Sequence, residues 1–456
     1  MRTTSGGDSM GLAPGAPVDG FVAVPASKSI AQRALILGGL AAGTTRLTRL
    51  PDGDDVRAAE ELVRSAGSAV ENLAPAARSV TGRPPGPHRG WKPTQSLSAG
   101  ESGTLARLAT ATIGFCALAG HTTELTVHGT LARRKSAALF ASLRASGVAL
   151  EGVGEAGADA WPVRIRSIGP PSSVRLVQPT SSQEVSALLA ALSAYPDATQ
   201  LEVVGAIPSR PYLDMTLALL ARFGARVTTS RTASGEVFDV RGPLTALATP
   251  LAIEPDASAA AVALAAGCLS GGTARVRGLG ADSLQGDVKI VEHLQAFGCR
   301  AGFDEHGVFA AGPVARAADL DLEREPDLAP VIAALAARAA LAGLGTSHLR
   351  GLATLPGKES SRIEVLAQGL RAIGLTAQAT SDALTIGPGT RTRALSANAP
   401  PIVLDPHGDH RMAFAFALFG LCVADVSVCY ATCVAKSWPT FWSDLERAGA
   451  NVVRSN

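Results

Sequence analysis

The residues best equipped for chemistry in this chain are cations placed where helices begin, with two carboxylates among them. In Val24-Pro25-Ala26-Ser27-Lys28-Ser29 a strand end runs into a helix whose apolar positions Ile30, Ala34, Leu35 and Leu37 recur at helical spacing. Lys28, Ser29 and, one turn on, Arg33 stand at that helix start. Unpaired N–H groups and the positive end of the dipole there suit a phosphate or carboxylate. A Ser N-cap followed by solvated cations is the plainer reading. Lysine usage favours the first: of 41 Lys and Arg only six are Lys (28, 92, 135, 289, 358 and 436). A Lys retained in so Arg-rich a chain is expected where a compact point charge is needed.

The same arrangement recurs. Gly100-Glu101-Ser102-Gly103-Thr104 opens a helix containing Arg107, with glycines that let backbone approach a ligand closely. Arg133-Arg134-Lys135 opens another, and one Arg there could clamp an anion bidentately. Thr180-Ser181-Ser182-Gln183 and Ser209-Arg210-Pro211-Tyr212 offer hydroxyls and an amide at two further starts. The second half supplies the acids: Glu325-Pro326-Asp327, then Lys358-Glu359-Ser360-Ser361-Arg362, Asp409-His410-Arg411 and Lys436-Ser437-Trp438-Pro439, each read as a helix start. If these ends converge, they suit a pair of anionic ligands, with Asp327 and Glu359 as the acids or bases. His407 and His410 lack a third ligand at metal spacing and adjoin Arg411, so no metal is expected. No P-loop, dinucleotide fingerprint or G-x-S-x-G elbow is present, and no cofactor is implied.

These starts need elements to position them, and an internal repeat supplies them. A helix end, then Gly, then a small or apolar residue occurs at Gly67, Gly147, Gly224, Gly298, Gly374 and Gly449, at spacings of 80, 77, 74, 76 and 75. Gly just past a helix is the usual left-handed stop. Ala-rich helices run into Gly-Thr strands at Gly43-Thr44, Gly272-Thr273 and Gly345-Thr346, with a weaker copy at Gly120-His121-Thr122. Each unit therefore reads strand, helix, strand, helix, strand, with one more strand. Six such units exceed one core and predict two lobes of three. Pro243, Pro250 and Pro255 mark the internal linker. The expected division is 26–251 as the N-terminal lobe and 1–25 plus 252–456 as the C-terminal lobe, closed by the N-terminal strand. Residues 1–17 are expected to be a disordered tail, and Pro84 to Pro87 a surface loop.

With 456 residues and a net charge of +2, the chain has no clustered basic surface for nucleic acid. Cysteines 116, 268, 299, 422, 429 and 433 show no C-x-x-C pair and read as reduced thiols of a cytoplasmic protein. The most apolar run, Met412 to Ala424, is too short to cross a bilayer, and no secretory leader is expected.

Ten motifs in order, from about Val18 to the end, resemble the 5-enolpyruvylshikimate-3-phosphate synthase (3-phosphoshikimate 1-carboxyvinyltransferase) family. They are S-K-S-x-x-x-R (Ser27–Arg33), G-x-x-G-T-x-x-R (Gly100–Arg107), S-S-Q (Ser181–Gln183), S-x-P-Y (Ser209–Tyr212) and D-x-S (Asp256–Ser258). S-x-Q-G-D (Ser283–Asp287), P-D (Pro326–Asp327), K-E-x-x-R (Lys358–Arg362), D-H-R-M (Asp409–Met412) and K-[ST]-x-P (Lys436–Pro439) complete the set. The resemblance implies an α/β (α+β) enolpyruvyl-transferase fold: two lobes, each three βαβαββ units arranged as an inside-out α/β barrel, that close around substrate. It implies a monomer that takes shikimate-3-phosphate and phosphoenolpyruvate, with no cofactor and no membrane partner. By resemblance, Ser29, Arg33, Ser181, Ser182, Gln183, Ser209, Asp327 and Lys358 contact shikimate-3-phosphate. Lys28, Gly103, Arg134, Arg362, Arg411 and Lys436 hold phosphoenolpyruvate, with Arg133 the alternative to Arg134, and Thr104 is a further substrate-binding residue. Asp327 is then the base near the hydroxyl, and Glu359 and Lys28 manage the proton on the methylene carbon.

Several positions depart from the family pattern. Glu101 replaces a frequent Asn, Ala26 a Gly, Leu108 a Pro, Thr354 an Asn and Ser361 an Asp. They keep open a paralogue acting on another cyclic acceptor in secondary metabolism, or an inactive anion-binding relative. The UDP-N-acetylglucosamine enolpyruvyl transferases share the fold but would show Lys-Asn at Lys28-Ser29 and a reactive loop Cys, whereas Cys116 lies in an apolar helix.

Overall fold

The computed structural model describes residues 9–86, 90–389 and 401–455. It divides into two compact units, one of residues 26–253 and one of residues 1–25 and 254–456. Helices come in pairs. In the unit of residues 26–253 they are α1 (Lys28–Leu40), α2 (Asp54–Ser65), α3 (Gly103–Cys116), α4 (Ala137–Ala145), α5 (Ser182–Leu192) and α6 (Arg210–Arg222). In the other they are α7 (Ala257–Ser270), α8 (Ile290–Ala296), α9 (Ala329–Leu341), α10 (Arg362–Ala372), α11 (His410–Cys422) and α12 (Phe441–Arg447).

The first helix of each pair is apolar on every side and therefore belongs in a core. Helices α1, α3, α5, α7, α9 and α11 are buried along nearly their whole length. Within one unit α1 and α5 pack on α3; within the other α7, α9 and α11 pack on one another. The second helix of each pair is amphipathic, as in α2, where Val56, Ala59, Leu62 and Val63 are buried and charged residues line the other side.

Each pair accompanies a four-stranded sheet, and the described residues form six such sheets. In the repeat around α5 and α6, Ser173–Val177 pairs in parallel with Thr199–Val204, then Gly235–Arg241 and Arg226–Thr232 follow antiparallel. This is the strand, helix, strand, helix, strand, strand unit that the repeat predicts. All six repeat glycines adopt left-handed φ, from +84° to +101°. After α2 the Gly67 N–H donates to the Arg64 carbonyl and the Ser68 N–H to the Val63 carbonyl, the double bond of a Schellman stop. The same pair of bonds recurs after α4, α6, α8, α10 and α12.

Three sheets borrow strands from distant sequence. Leu251–Ala252 pairs in parallel with Thr44–Thr48 and completes the first sheet of its unit. In the other unit Gly20–Phe21 pairs with Thr273–Val276. Ser9–Ala13 pairs antiparallel with Asn451–Ser455 and also meets Val428 through Met10. The expectation of a disordered tail over 1–17 is therefore corrected for Ser9–Ala13. Leu12 is 1% exposed, and its burial beneath this strand outweighs the Gly/Pro-rich flanks. Residues 1–8, and Pro87 of the expected loop, lie outside the described residues. Two smaller expectations also shift: the stretch before Lys28 is extended without being a strand, and Lys436 ends the 3-10 turn Ala431–Lys436 instead of opening a helix. Among the described residues no helix is long and apolar enough to cross a membrane.

Gly420 of α11 lies so close to the N-terminal strand that an added Cβ would stand 2.1 Å from the Leu12 carbonyl oxygen. Gly420→Ala is therefore expected to cost about 1–3 kcal/mol by forcing strand and helix apart. Gly271→Ala, where the φ is +81° and an added Cβ would meet nothing within 4 Å, only strains one left-handed residue and costs about 1 kcal/mol. Calorimetric melting should rank Gly420→Ala below Gly271→Ala, and the reverse order would refute this account of the strand.

Candidate active site

In the unit of residues 26–253, buried side chains stitch four helix starts together. Arg33, 1% exposed, donates from Nε to Thr216 Oγ1 of α6 at 2.8 Å and from Nη1 to the Ser29 carbonyl at 2.9 Å. Thr216 passes a bond to Ser186 of α5 at 2.9 Å. Gln32 accepts from Ser102, the N-cap of α3, at 2.9 Å. Arg107 Nη1 donates to the Gly103 carbonyl at 3.0 Å and to Gln183 Oε1 at 3.1 Å, and Gln183 Nε2 donates to Thr104 Oγ1 at 3.0 Å. The starts of α1 and α6, and of α3 and α5, are thus cross-linked.

Arg33 and Arg107 are bonded to neutral acceptors. Burial pulls the Arg33 guanidinium down to about 10. Burial does the same to Arg107, with Glu184 opposing and Arg134 adding to the effect. Gly103 marks where these groups meet: a Cβ there would come within 3.1 Å of Arg107 Nη1, 3.7 Å of Gln183 Oε1 and 3.8 Å of Arg134 Nη1. Arg134 is half-buried against this group, while Arg133 is exposed. Lys28 pairs with Asp55 at 3.0 Å. Ser181 caps α5 by accepting from the Gln183 N–H, and Ser182 is buried. Ser209 holds a left-handed φ of +51°, unusual for a residue with a side chain, at the start of α6. Glu101 lays its carboxylate against Gly129, where a Cβ would lie 2.1 Å from its Oε1.

The other unit holds a denser cluster. Arg362, first residue of α10 and 2% exposed, donates to three carboxylates: Nε to Asp409 Oδ2 at 2.8 Å, Nη1 to Asp327 Oδ1 at 2.9 Å and Nη2 to Glu359 Oε2 at 2.7 Å. Asp409 is also the N-cap of α11, accepting from the Arg411 N–H. Around Asp327 stand Lys358 Nζ at 3.3 Å and Arg411 Nη2 at 3.3 Å, and Lys436 Nζ lies 3.7 Å from Glu359. Burial works against the Asp327 charge, but Arg411, Lys358 and Arg362 together outweigh it. They hold the carboxyl well below the usual range, so it is ionised throughout neutral pH. Arg362 is likewise opposed by burial and held charged by Asp409, Glu359 and Asp327.

The structure thus brings Asp327, Lys358, Glu359, Arg362, Arg411 and Lys436 together, and separately gathers Gly103, Thr104, Arg134 and Gln183. Sequence reasoning left out Asp55, and it gave no role to Arg107, Asp287 or Asp409, although its motifs contain them. Arg107 had a signal, standing four residues after Gly103 on one helix face. Asp55 had none, since it is 27 residues from Lys28. Asp287, 4% exposed, receives the Ser258 hydroxyl bond. Burial pushes its carboxyl up to about 7, against Arg411 and with Asp327.

A carboxyl with a raised native value contributes stability below its unfolded value, about 4, that is lost as pH rises through about 7. Asp287→Asn removes that loss. In urea unfolding between pH 5 and 6.5 the variant should gain on the parent by about 1.4 kcal/mol per pH unit. A gap independent of pH would show that Asp287 titrates normally.

The chain is similar to known proteins along nearly its whole length. The model of the family described as EPSP synthase (3-phosphoshikimate 1-carboxyvinyltransferase) matches residues 12–445. A 3-phosphoshikimate 1-carboxyvinyltransferase from Erwinia tasmaniensis is 32% identical over 444 residues, covering 96% of this chain and 98% of that protein. One from Aliivibrio fischeri is 31% identical over 446 residues, covering 96% and 99%. Among solved structures, an EPSP synthase from Acinetobacter baumannii aligns with TM-score 0.76 and 24% identity, covering 98% of this chain and 100% of that one. The enolpyruvyl transferase NikO from Streptomyces tendae aligns at 0.67 and 16%, covering 99% of each. Both structural likenesses speak to the fold.

Proposed function

The chain belongs to the EPSP synthase (3-phosphoshikimate 1-carboxyvinyltransferase) family, and on that premise we propose how its residues act. The reaction transfers the enolpyruvyl group of phosphoenolpyruvate to the 5-hydroxyl of shikimate-3-phosphate and releases phosphate, a step of aromatic amino acid biosynthesis. The observation that carries the residue assignment is Asp327, an ionised buried carboxylate ringed by Lys358, Arg362 and Arg411.

Shikimate-3-phosphate is held by Ser29, Ser181, Ser182, Gln183, Ser209, Asp327 and Lys358. Phosphoenolpyruvate is held by Lys28, Gly103, Thr104, Arg134, Arg362, Arg411 and Lys436. Arg33 acts mainly by fixing the Ser29 carbonyl and the start of α6. Asp327 takes the proton of the 5-hydroxyl as its oxygen bonds to C2 of phosphoenolpyruvate, while a proton reaches the methylene carbon from Glu359 or Lys28. The tetrahedral adduct then expels phosphate, and loss of a methyl proton to the same groups restores the double bond. A carboxylate held far below its usual range is a weak base. Bound substrate anions share the field of Lys358 and Arg411, and this raises Asp327 toward useful basicity. Holding two anions side by side otherwise costs Coulomb repulsion, which the cations offset. The reading extends to a monomer working in the cytoplasm.

Purified protein given both substrates should release phosphate, and given either alone should not. No release from folded protein would overturn the assignment of these substrates. Asp327→Asn is expected to lower kcat by ~100-fold or more. Lys28→Met should abolish turnover with circular dichroism unchanged, and near-normal turnover in that variant would remove Lys28 from the mechanism.

A further inference from the structure

The unit of residues 1–25 and 254–456 has a second concavity that the Asp327 cluster does not use. It is about 430 Å³ and lies between the start of α8 and the segment 320–325. Two of its lining side chains are buried with an unmatched polar atom. Glu325 is 3% exposed, and His293 is 7% exposed. Glu325 Oε1 and His293 Nε2 find no hydrogen-bond partner among the described residues. Buried polar atoms are nearly always satisfied, so two such atoms on side chains that line one cavity point to a ligand that satisfies them.

The surroundings narrow the chemistry. Burial holds the His293 imidazole down to about 4, so it is neutral at physiological pH and Nε2 can accept a hydrogen bond. Burial also pushes the Glu325 carboxyl upward, with Lys289 and Arg324 opposing and Glu292 and Asp321 adding to it, and a further cationic donor at the carboxylate would relieve the net cost. Among the described residues no three His, Cys, Asp or Glu side chains converge as metal ligands, which disfavours a coordinated ion. The space is also far larger than one ion needs. Lys289 and Arg324 are exposed residues of the same lining, alongside the acids Glu292, Asp321 and Glu323, and among the described residues Lys289 makes a long 3.5 Å surface pair with Glu292. A surface pair of that kind is weak and readily exchanged for a ligand carboxylate.

We propose that this cavity binds a small zwitterion, its primary ammonium group donating to Glu325 Oε1 and His293 Nε2 and its carboxylate facing Lys289 and Arg324. Both charges of the ligand are then matched, and both buried atoms gain a partner. The site takes free α-amino acids or molecules that present the same pair of groups. Its occupancy does not depend on the substrates assigned to the Asp327 cluster.

The test is calorimetric titration of the purified chain with glycine, L-alanine, L-lysine and L-phenylalanine, with acetate and ethylamine as singly charged controls. NMR of the His293 ring, identified by the signal lost in His293→Gln, locates the binding. At least one amino acid should bind saturably and shift that signal, and the controls should bind about tenfold more weakly or not at all. Glu325→Gln should weaken binding about tenfold or more. Leu320→Trp, which fills the cavity, should abolish binding while melting temperature and phosphate release are retained. The proposal is overturned if no amino acid binds, if acetate or ethylamine binds as well, or if neither variant changes the affinity.

Discussion

A guanidinium buried in protein must have its charge and its N–H groups matched, and Arg362 meets that demand in a way that organises its unit. Its three carboxylate partners come from the turn before α9, the turn before α10 and the N-cap of α11. Three chain segments are thereby pinned around one cation. Removing any one partner would leave charge buried without compensation, the costliest error a core can contain. The arrangement also leaves Asp327 and Glu359 in fixed positions, each facing further cations on its other side.

The unit of residues 26–253 solves the same problem with different chemistry. Arg33 is satisfied by a hydroxyl and by backbone carbonyls, and Arg107 by a carbonyl and an amide oxygen. Neutral acceptors satisfy hydrogen bonds but leave the charge uncompensated. Burial therefore pulls both groups down, whereas Arg362 is driven up by its carboxylates. One unit thus buries guanidinium groups among neutral acceptors, while the other holds the Asp327 carboxylate ionised among cations. The two behaviours follow from what accepts the guanidinium bonds.

Much of this was legible in the chain. Six glycines at nearly constant spacing announced six repeats because only a left-handed residue ends these helices, and Gly adopts that conformation at no steric cost. Lys28, Gly103, Asp327, Lys358 and Arg362 were legible as local patterns, since a helix start declares itself over a few residues. The strand Ser9–Ala13 was not legible: nothing within five residues flanked by Gly and Pro shows that a strand from the far end of the chain will bury Leu12. Asp55 escaped for the same reason, an acid in the first turn of α2 being expected for the helix itself whatever it contacts.

Residue order by itself determined where helices start and stop, which helices are apolar enough for a core, and which starts carry cations, because capping, periodicity and charge are properties of short segments. Tertiary structure alone decided which cations were matched and by what. It gave Arg362 three carboxylates and left Arg33 with neutral partners. It placed Arg134 and not Arg133 beside Gly103, and it held Asp287 up at about 7 while Asp327 was held down. Desolvation and Coulomb interaction depend on distances between segments that sequence separates by dozens to hundreds of residues, and only folding sets those distances.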